Sequence, residues 1–168
     1  DRVIQQGIAQ KLQNIWEPLF SDSSYGYRPR RSGQQAIQKV KEYAEEGYRY
    51  AVSVDLSKYF DTLNHELLMN LLHRKIQDMR VLRIIKKYLK SGVMENGVVS
   101  KTEEGSPQGG PLSPLLANIY LNEFDWKMHS RGVKTVRYAD DIVVFAKSKR
   151  APEVSGREAE TENEHGKE

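Results

Sequence analysis

RYADDIVVFAKSK, residues 137–149, carries two adjacent carboxylates, Asp140 and Asp141, between two segments that favour strands. The residues before the pair are mostly β-branched or aromatic, and residues 142–145 form a short apolar run of the kind found in buried strands. The pattern predicts a β-hairpin with both acids between its strands. It also raises the question of why two like charges stand together at that point.

The Asp pair has two interpretations when it is taken alone. Aspartate tolerates turn conformations, so the pair can be a surface turn, although Asn-Gly and Asp-Gly are stronger hairpin signals. Two carboxylates about 4 Å apart repel by about 4 kcal/mol at an effective dielectric typical of a protein surface. A turn does not require that repulsion, whereas a bound divalent cation would offset it.

The composition describes one modest domain. The chain has 168 residues, of which 38% are hydrophobic, and this is enough for a single core. It has no cysteine, which excludes disulfides and thiolate metal sites and fits a reducing compartment. No apolar run approaches the ~18 residues of a membrane span, and no signal-peptide pattern opens the chain. Because the sequence starts within a helical pattern and without Met, we expect it to be a piece of a longer protein.

The net charge of +3 is unevenly distributed along the chain. From residue 151 onward there are six Glu against one Arg and one Lys, which gives 2 − 6 = −4 and leaves 3 − (−4) = +7 for residues 1–150. A basic body favours a polyanionic partner, though many ordinary surfaces are as basic. The tail, 149–168, is poor in apolar residues and is predicted to be disordered. Its regular alternation of Glu leads to the hypothesis that a frameshift ended the natural sequence near residue 151.

Periodicity and capping signals predict a chain of mixed helices and strands. Helices are predicted over 3–16, from a Ser32–Gln35 capping box to Gly47, over 64–75, over 78–91, and from Ser113 through Phe124. Strands are predicted over 50–56 and in hairpins at 93–100 and at the Asp pair. Residues 104–114 contain three Gly and three Pro and are predicted to be neither helix nor strand.

Asp55, near the end of the predicted strand 50–56, supplies a third carboxylate. If that strand lies beside the hairpin, Asp55 converges with Asp140 and Asp141 at one edge of a sheet. Hard oxygen ligands of this kind select Mg²⁺ or Mn²⁺. Two such ions about 4 Å apart can activate a primer 3′-hydroxyl and stabilise a leaving pyrophosphate. The three acids therefore suggest nucleotidyl transfer.

The motifs around these acids resemble a known family. VDLSKYFD (54–61), SPQGGPLSP (106–114) and YADD (138–141) look like the palm motifs of reverse transcriptases, and more narrowly of group II intron-encoded reverse transcriptase/maturases. DRVIQQGIAQKLQ (1–13) and SYGYRPRRSGQQAI (24–37) resemble the fingers of the same family. The resemblance extends from residue 1 to about residue 150, in the family's order.

The resemblance implies an α+β fold, an incomplete right-hand polymerase of fingers and a ferredoxin-like palm, truncated before the thumb. The expected division is partial fingers over 1–48 and 66–108, palm over 49–65 and 109–148, and the tail over 149–168. With part of the palm sheet absent, the hydrophobic face of the hairpin is expected to lie bare and to favour self-association through an exposed palm edge.

The resemblance also implies roles for individual residues. The catalytic residues, which hold Mg²⁺ or Mn²⁺, are Asp55, Asp140 and Asp141. The nucleotide-binding residues are Leu56, Ser57, Phe60 and Gln108, with Phe60 as the steric gate against a 2′-hydroxyl. The nucleic-acid-binding residues are Arg28, Arg30, Arg31, Gly109 and Tyr138. Taken singly, Phe60 is better explained as a core residue, and the arginines are explained as well by a solvated patch as by a phosphate cradle.

The implied function is that of an RNA-directed DNA polymerase of a group II intron. Its partners would be an intron RNA template, a DNA primer and deoxynucleoside triphosphates, with no membrane, and its location the cytoplasm of a bacterium or an organelle. Without a thumb, the chain as given is expected to be inactive on its own. Two alternatives stay open: a non-catalytic, maturase-like piece that binds intron RNA, and a decayed fragment of a mobile element.

Overall fold

The computed structural model of the protein describes residues 2–56, 63–90 and 111–149. Within these ranges it contains five α-helices and three strands. In chain order they are α1 (Arg2–Trp16), α2 (Gly33–Glu45), β1 (Tyr50–Asp55), α3 (His65–His73), α4 (Met79–Lys90), α5 (Leu112–Ser130), β2 (Lys134–Tyr138) and β3 (Asp141–Ala146). A short 3₁₀ turn, Glu17–Leu19, follows α1 at Pro18.

The first four helices confirm the predicted elements and their caps. Ser32 and Gln35 form a complete capping box at the start of α2, and the chain leaves that helix through Gly47, whose φ of +98° suits glycine. Asn64 caps α3 by accepting a hydrogen bond from the amide of Leu67 at 3.0 Å. Before α4, Asp78 accepts from the amide of Arg80 at 2.9 Å.

Helix α5 corrects two sequence predictions. It begins at Leu112, one residue before the predicted start at Ser113, so the last three residues of the stretch 104–114, predicted to be irregular, are helical. Pro111 is the N-cap and Pro114 lies in the first turn, where the backbone has no intrahelical N–H bond for proline to lose. The helix then continues to Ser130, beyond the predicted end near Phe124, because its later turns remain packed on the sheet.

The three strands form one antiparallel sheet in the order β1-β3-β2. The hairpin of β2 and β3 is confirmed, with one difference from the prediction. Only Ala139 and Asp140 lie between the strands, because Asp141 is already the first residue of β3 and faces Tyr138 of β2. Strand β1 pairs with β3 over its whole length, and in the described part of the chain its other side has no partner strand.

The register assigns each residue to a face of the sheet, since directly opposed residues of antiparallel strands point to the same side. Ile142 and its β1 partner Val54 pack into the larger core, which α1, α3, α4 and α5 build. The fully buried members of that core include Leu68, Leu72, Ile85, Leu89, Leu112 and Leu116. The opposite face carries Val136 and Phe145 and is covered by α2 through a smaller cluster.

This packing corrects the expectation that the hydrophobic face of the hairpin lies bare. Ile142, Val144 and Phe145 are each at most 6% exposed, because helices cover both sides of β3. Exposed apolar residues of the sheet include two on the edge strand β1, Tyr50 and Val52, which are 43% and 37% exposed. Self-association through an exposed palm edge stays a prediction.

Several predictions fall outside the described ranges. The hairpin at 93–100, residues 104–110 and the tail from 150 onward belong to this group. The division into fingers and palm also stays a prediction. None of the helices in the described ranges is long and apolar enough to cross a membrane.

Candidate active site

The acidic end of the sheet brings two of the three predicted catalytic residues face to face. Asp55, the last residue of β1, lies directly opposite Asp141, the first residue of β3. Asp141 in turn lies opposite Tyr138 of β2. The three side chains therefore form a row across all three strands on one face of the sheet, and each of the three residues is exposed. Directly opposed like charges repel each other across a sheet.

Asp140 joins this row through its backbone. The amide of Leu56 donates to the carbonyl oxygen of Asp140 at 3.1 Å, which continues the β1–β3 pairing by one bond beyond the strands. Asp140 itself is half-buried in the two-residue loop. All three acids consequently lie at the same end of the sheet, as the sequence predicted from their positions.

The donor set fits a hard divalent cation, because carboxylate oxygens are the ligands that Mg²⁺ and Mn²⁺ prefer. The side chains are nevertheless not arranged as a finished site. Within residues 2–56, 63–90 and 111–149, no group of three or more His, Asp or Glu side chains is placed to hold a metal ion. The backbone thus brings the ligand candidates together, and metal binding by them stays a prediction.

The loop between β2 and β3 is held in an unusual conformation. Ala139 has φ = +57°, a region that costs a non-glycine residue about 1–2 kcal/mol. Gly26 lies directly against it: a Cβ on Gly26 would be 2.5 Å from the amide nitrogen of Ala139. Only glycine fits position 26 without moving one of the two backbones. The 24–27 segment therefore packs against the loop and confines it on one side.

A buried ionic network fixes the same loop from the other face of the sheet. Arg137 and Asp125 are an ion pair with Nη2–Oδ2 at 2.7 Å, and both side chains are completely buried. The guanidinium also donates to Oδ1 of Asn118 at 3.1 Å, to Oγ of Ser24 at 2.9 Å and to the carbonyl oxygen of Ala139 at 2.7 Å. Every nitrogen of Arg137 is thereby bonded, which is the condition for burying an arginine at tolerable cost.

Burial raises the pKa of Asp125 above its ordinary value, and the neighbouring charge of Arg137 opposes that rise.

The backbone of Arg137 makes two more hydrogen bonds, to residues 23 and 25. Its amide donates to the carbonyl of Ser23 at 2.8 Å, and its carbonyl accepts from the amide of Tyr25 at 2.9 Å. Arg137 therefore connects α5, the 23–25 segment and the loop of the Asp pair.

Sequence reasoning missed this network. The signal that could have found it is the alternation of β2, which places Arg137 on the same face as Thr135 and opposite to Tyr138. A single arginine on a buried strand face requires an acidic partner. The partner is Asp125, which lies just beyond the predicted end of the helix at Phe124.

The three arginines of the 28–31 segment have different surroundings. Arg28 is 8% exposed, donates to the carboxylate of Glu17 at 2.9 Å and to two backbone carbonyls, and so is occupied as a structural residue. This geometry argues against the predicted contact of Arg28 with nucleic acid. Arg31 pairs with Asp22 at 2.8 Å and lies over the ring of Tyr25. Arg30 is exposed and makes no ion pair with a described residue.

Tyr138 remains a suitable surface for a nucleic acid. It is 43% exposed, and its ring centroid lies 6.5 Å from that of Tyr27, which is 48% exposed. Exposed aromatic faces can stack on bases. Contact of Tyr138 with a primer stays a prediction.

The predicted nucleotide-binding residues are described only in part. Leu56 packs its side chain into the larger core and uses its amide for Asp140, so neither group is free for a triphosphate in this geometry. Ser57, Phe60, Gln108 and Gly109 lie outside the described residues. Their roles stay predictions.

Comparison with known proteins identifies the class to which this fold and these motifs belong. Residues 1–163 match the family model described as reverse transcriptase (RNA-dependent DNA polymerase). The chain therefore belongs to the reverse transcriptase family, an RNA-directed DNA polymerase family, and the expected α+β class of fingers and palm is confirmed.

Relatives with intron-related names narrow the comparison. The group II intron-encoded protein LtrA of Lactococcus lactis subsp. cremoris is 45% identical over 126 residues, which are 74% of this chain and 21% of that protein. Protein YkfC of Escherichia coli K12 is 43% identical over 135 residues, 78% of this chain and 35% of that protein. Nuclear intron maturase 1, mitochondrial, of Arabidopsis thaliana is 24% identical and is covered over 28% of its length by 88% of this chain. The resemblance to group II intron reverse transcriptases and maturases is confirmed, and the chain spans between about a fifth and a third of these relatives.

Proposed function

We propose that this chain is the part of a group II intron-encoded reverse transcriptase that carries its catalytic carboxylates and copies intron RNA into DNA. The observation that carries the proposal is the register of the sheet, which sets Asp55 opposite Asp141 with Asp140 in the adjoining loop. Carboxylates gathered at one end of a sheet are the oxygen ligands that metal-dependent nucleotidyl transfer uses.

Reverse transcriptases use divalent metal ions, and Asp55, Asp140 and Asp141 would hold them here as Mg²⁺ or Mn²⁺. When bound, such ions lower the pKa of the primer 3′-hydroxyl and neutralise the leaving pyrophosphate. The chain contributes the positions of the ligands. Asp55 and Asp141 are fixed by the β1–β3 pairing, and Asp140 by its carbonyl bond to Leu56. Tyr138, in the same row, would pack against the primer end.

The partners follow from the same proposal. An RNA template and a DNA primer would lie on the acidic face beside Tyr138, and deoxynucleoside triphosphates would be selected by Phe60 and contacted by Gln108. The excess of basic residues in 1–150, net +7 by the count above, favours binding of the phosphate backbone. Such a protein would act in the cytoplasm of a bacterium or in an organelle.

Primer extension tests the proposal. A poly(rA) template with an oligo(dT) primer and Mg²⁺ is offered to this chain and to a full-length chimera in which it replaces the matching segment of the Lactococcus lactis relative. We expect the chimera to extend the primer and the Asp141→Asn chimera to fail. A chimera that folds, binds template and primer and incorporates no nucleotide with Mg²⁺ or Mn²⁺ would refute the catalytic proposal.

A second candidate is favoured by one observation. The net charge of +7 on residues 1–150 suits a non-catalytic piece that holds intron RNA by shape and phosphate contacts. The two candidates differ in their response to Asp55→Asn. If Asp55→Asn abolishes primer extension by the chimera, the first candidate is supported. If the chimera shows no extension with either residue and Asp55→Asn leaves the RNA affinity unchanged or slightly higher, the second candidate is supported.

A further inference from the structure

The Arg137–Asp125 pair lies on the face of β2 that points away from the catalytic row. Arg137 is opposite Ile142 on that face, whereas Tyr138 and Asp141 point to the other side. The pair is therefore not placed to touch a primer, a template or a nucleotide. Its link to the acidic end is a single bond, from Nη1 of Arg137 to the carbonyl oxygen of Ala139 at 2.7 Å.

That bond ends at the residue where the hairpin is strained. Ala139 has φ = +57°, and such a conformation persists only where the surroundings hold it. Two contacts do so. Gly26 closes one side of the loop, because nothing larger than glycine fits against the amide of Ala139, and Arg137 binds the carbonyl on the other side. Asn118 connects the two, since its amide nitrogen donates to the carbonyl of Gly26 at 2.9 Å and its oxygen accepts from Arg137.

Stability alone does not account for a completely buried ion pair at this position. Replacing such a pair with apolar residues of similar volume is often neutral or stabilising, because the charges no longer have to be desolvated. An apolar pair cannot, however, bind the carbonyl of Ala139. The feature that only the charged pair supplies is control of the loop that carries Asp140 and leads into Asp141.

We propose that Arg137, held by Asp125, is a positioning residue that fixes the YADD loop through the carbonyl of Ala139 and thereby sets the catalytic carboxylates. This inference rests on the proposed function, since it assigns the loop a catalytic task. It is distinct from a general contribution to folding, because it requires the loop to move when the network is removed even if the domain stays folded.

The test is a double substitution, Arg137→Met with Asp125→Leu, which removes both charges and keeps an apolar core. The matched control is Arg74→Gln with Glu123→Gln, an exposed ion pair at 3.7 Å that joins α5 to the residue after α3 and lies away from the loop. Loop position is read in this chain from hydrogen exchange of the Leu56 amide, which donates to Asp140. Catalysis is read in the chimera from kcat and KM for a single deoxynucleotide.

We expect the double variant to melt close to the parent and to exchange the Leu56 amide about tenfold faster or more. In the chimera, kcat should fall about tenfold or more while KM for the nucleotide changes by less than about twofold, since a misplaced loop affects the reacting state more than binding. The control variant should match the parent in both readouts. A folded double variant with parental Leu56 exchange, or with parental kcat, overturns the inference.

Arg137→Lys keeps the test decisive if the double variant does not fold. Lysine retains the charge opposite Asp125, but a single ammonium lacks the planar fork needed to reach Asp125, Asn118 and the carbonyl of Ala139 together. We expect it to fold, to expose the Leu56 amide and to lower kcat; full activity refutes the positioning role. If the parent chimera itself is inactive, the proposed function fails, whereas Leu56 exchange still decides whether the pair holds the loop.

Discussion

The two faces of the sheet carry their charged residues in opposite arrangements. On one face Arg137 and Asp125 are both 0% exposed, and every nitrogen of the guanidinium is bonded. On the other face, one residue pair away, Asp55 and Asp141 are like charges that oppose each other at the exposed end of the sheet. The same sheet thus carries one pair of opposite charges that is buried between β2 and α5 and one pair of like charges that is exposed at its end.

The two faces therefore differ in their capacity to bind a ligand. A buried charge is tolerated only when the protein supplies its counter-charge and hydrogen bonds, so the Arg137 face has no capacity left for a ligand. An exposed pair of like charges can be satisfied by water or by a cation, so the Asp55–Asp141 face retains its capacity to bind. Four predictions test this contrast, in order of decreasing effect.

The largest effect is expected from the exposed acids. Asp55→Asn, Asp140→Asn or Asp141→Asn in the chimera should reduce primer extension on the order of a thousandfold or more, because a misplaced metal loses both nucleophile activation and leaving-group stabilisation. The losses should not add in a double variant, since each substitution dismantles the same site. Extension rates and thermal melting are measured together.

The melting temperature separates the metal from the turn. Removing one of two opposed like charges should leave the melting temperature unchanged or slightly higher without metal. If Asp140→Asn instead unfolds the chain while the folded remainder polymerises normally, the Asp pair is a structural turn and the metal assignment is wrong.

The second effect concerns the buried charges. Arg137→Met alone leaves Asp125 buried without a counter-charge and should lower the free energy of unfolding by about 3–5 kcal/mol. Adding Asp125→Leu should recover most of that loss, which urea unfolding of the single and double variants would show. Equal stability of the single variant and the parent would mean that Asp125 is hydrated or protonated, and the contrast between the faces would fail.

The third effect concerns Gly26, which confines the loop between β2 and β3. Gly26→Ala places a Cβ 2.5 Å from the amide of Ala139, so one backbone has to shift, and we expect a loss of about 1–3 kcal/mol in unfolding free energy. Gly7→Ala is the matched control, because Gly7 is an exposed residue of helix α1 and nothing lies within 4 Å of its Cβ position. That substitution should stabilise the chain by about 0.5–1 kcal/mol. If Gly26→Ala were as well tolerated, the loop would not be confined.

The smallest effect is expected from removal of the acidic tail on the binding of RNA. Residues 1–150 should bind single-stranded RNA several-fold more tightly than the whole chain at low salt, because the tail adds a net −4 to a body of +7. Binding should weaken steeply with added salt, whereas unfolding of the Arg137–Asp125 region should respond little. Equal affinity of both forms at low salt would contradict repulsion by the tail, and a flat salt response would contradict phosphate binding.

The sequence predicted local structure well where one short-range signal dominates. The Ser32–Gln35 capping box, the cap at Asn64 and the hairpin around YADD were all found in place, because caps and strand alternation act over a few residues. It placed the start of α5 within one residue, but it missed the end of that helix, which continues from Phe124 to Ser130. It did not find the partners of Arg28, Glu17 and Ser21, which are set by the fold of the preceding loop.

By itself the sequence determined the family and the positions of the three acids within its motifs. Such motifs are short stretches of neighbouring residues, so they can be recognised without a structure. Only the tertiary structure decided which acids face each other, that Asp141 belongs to a strand, and that Arg137 is buried against Asp125. The physical reason is that strand register and burial depend on contacts between residues far apart in the chain. No local pattern around Arg137 specifies that its counter-charge comes from α5 or that Gly26 confines the loop from behind.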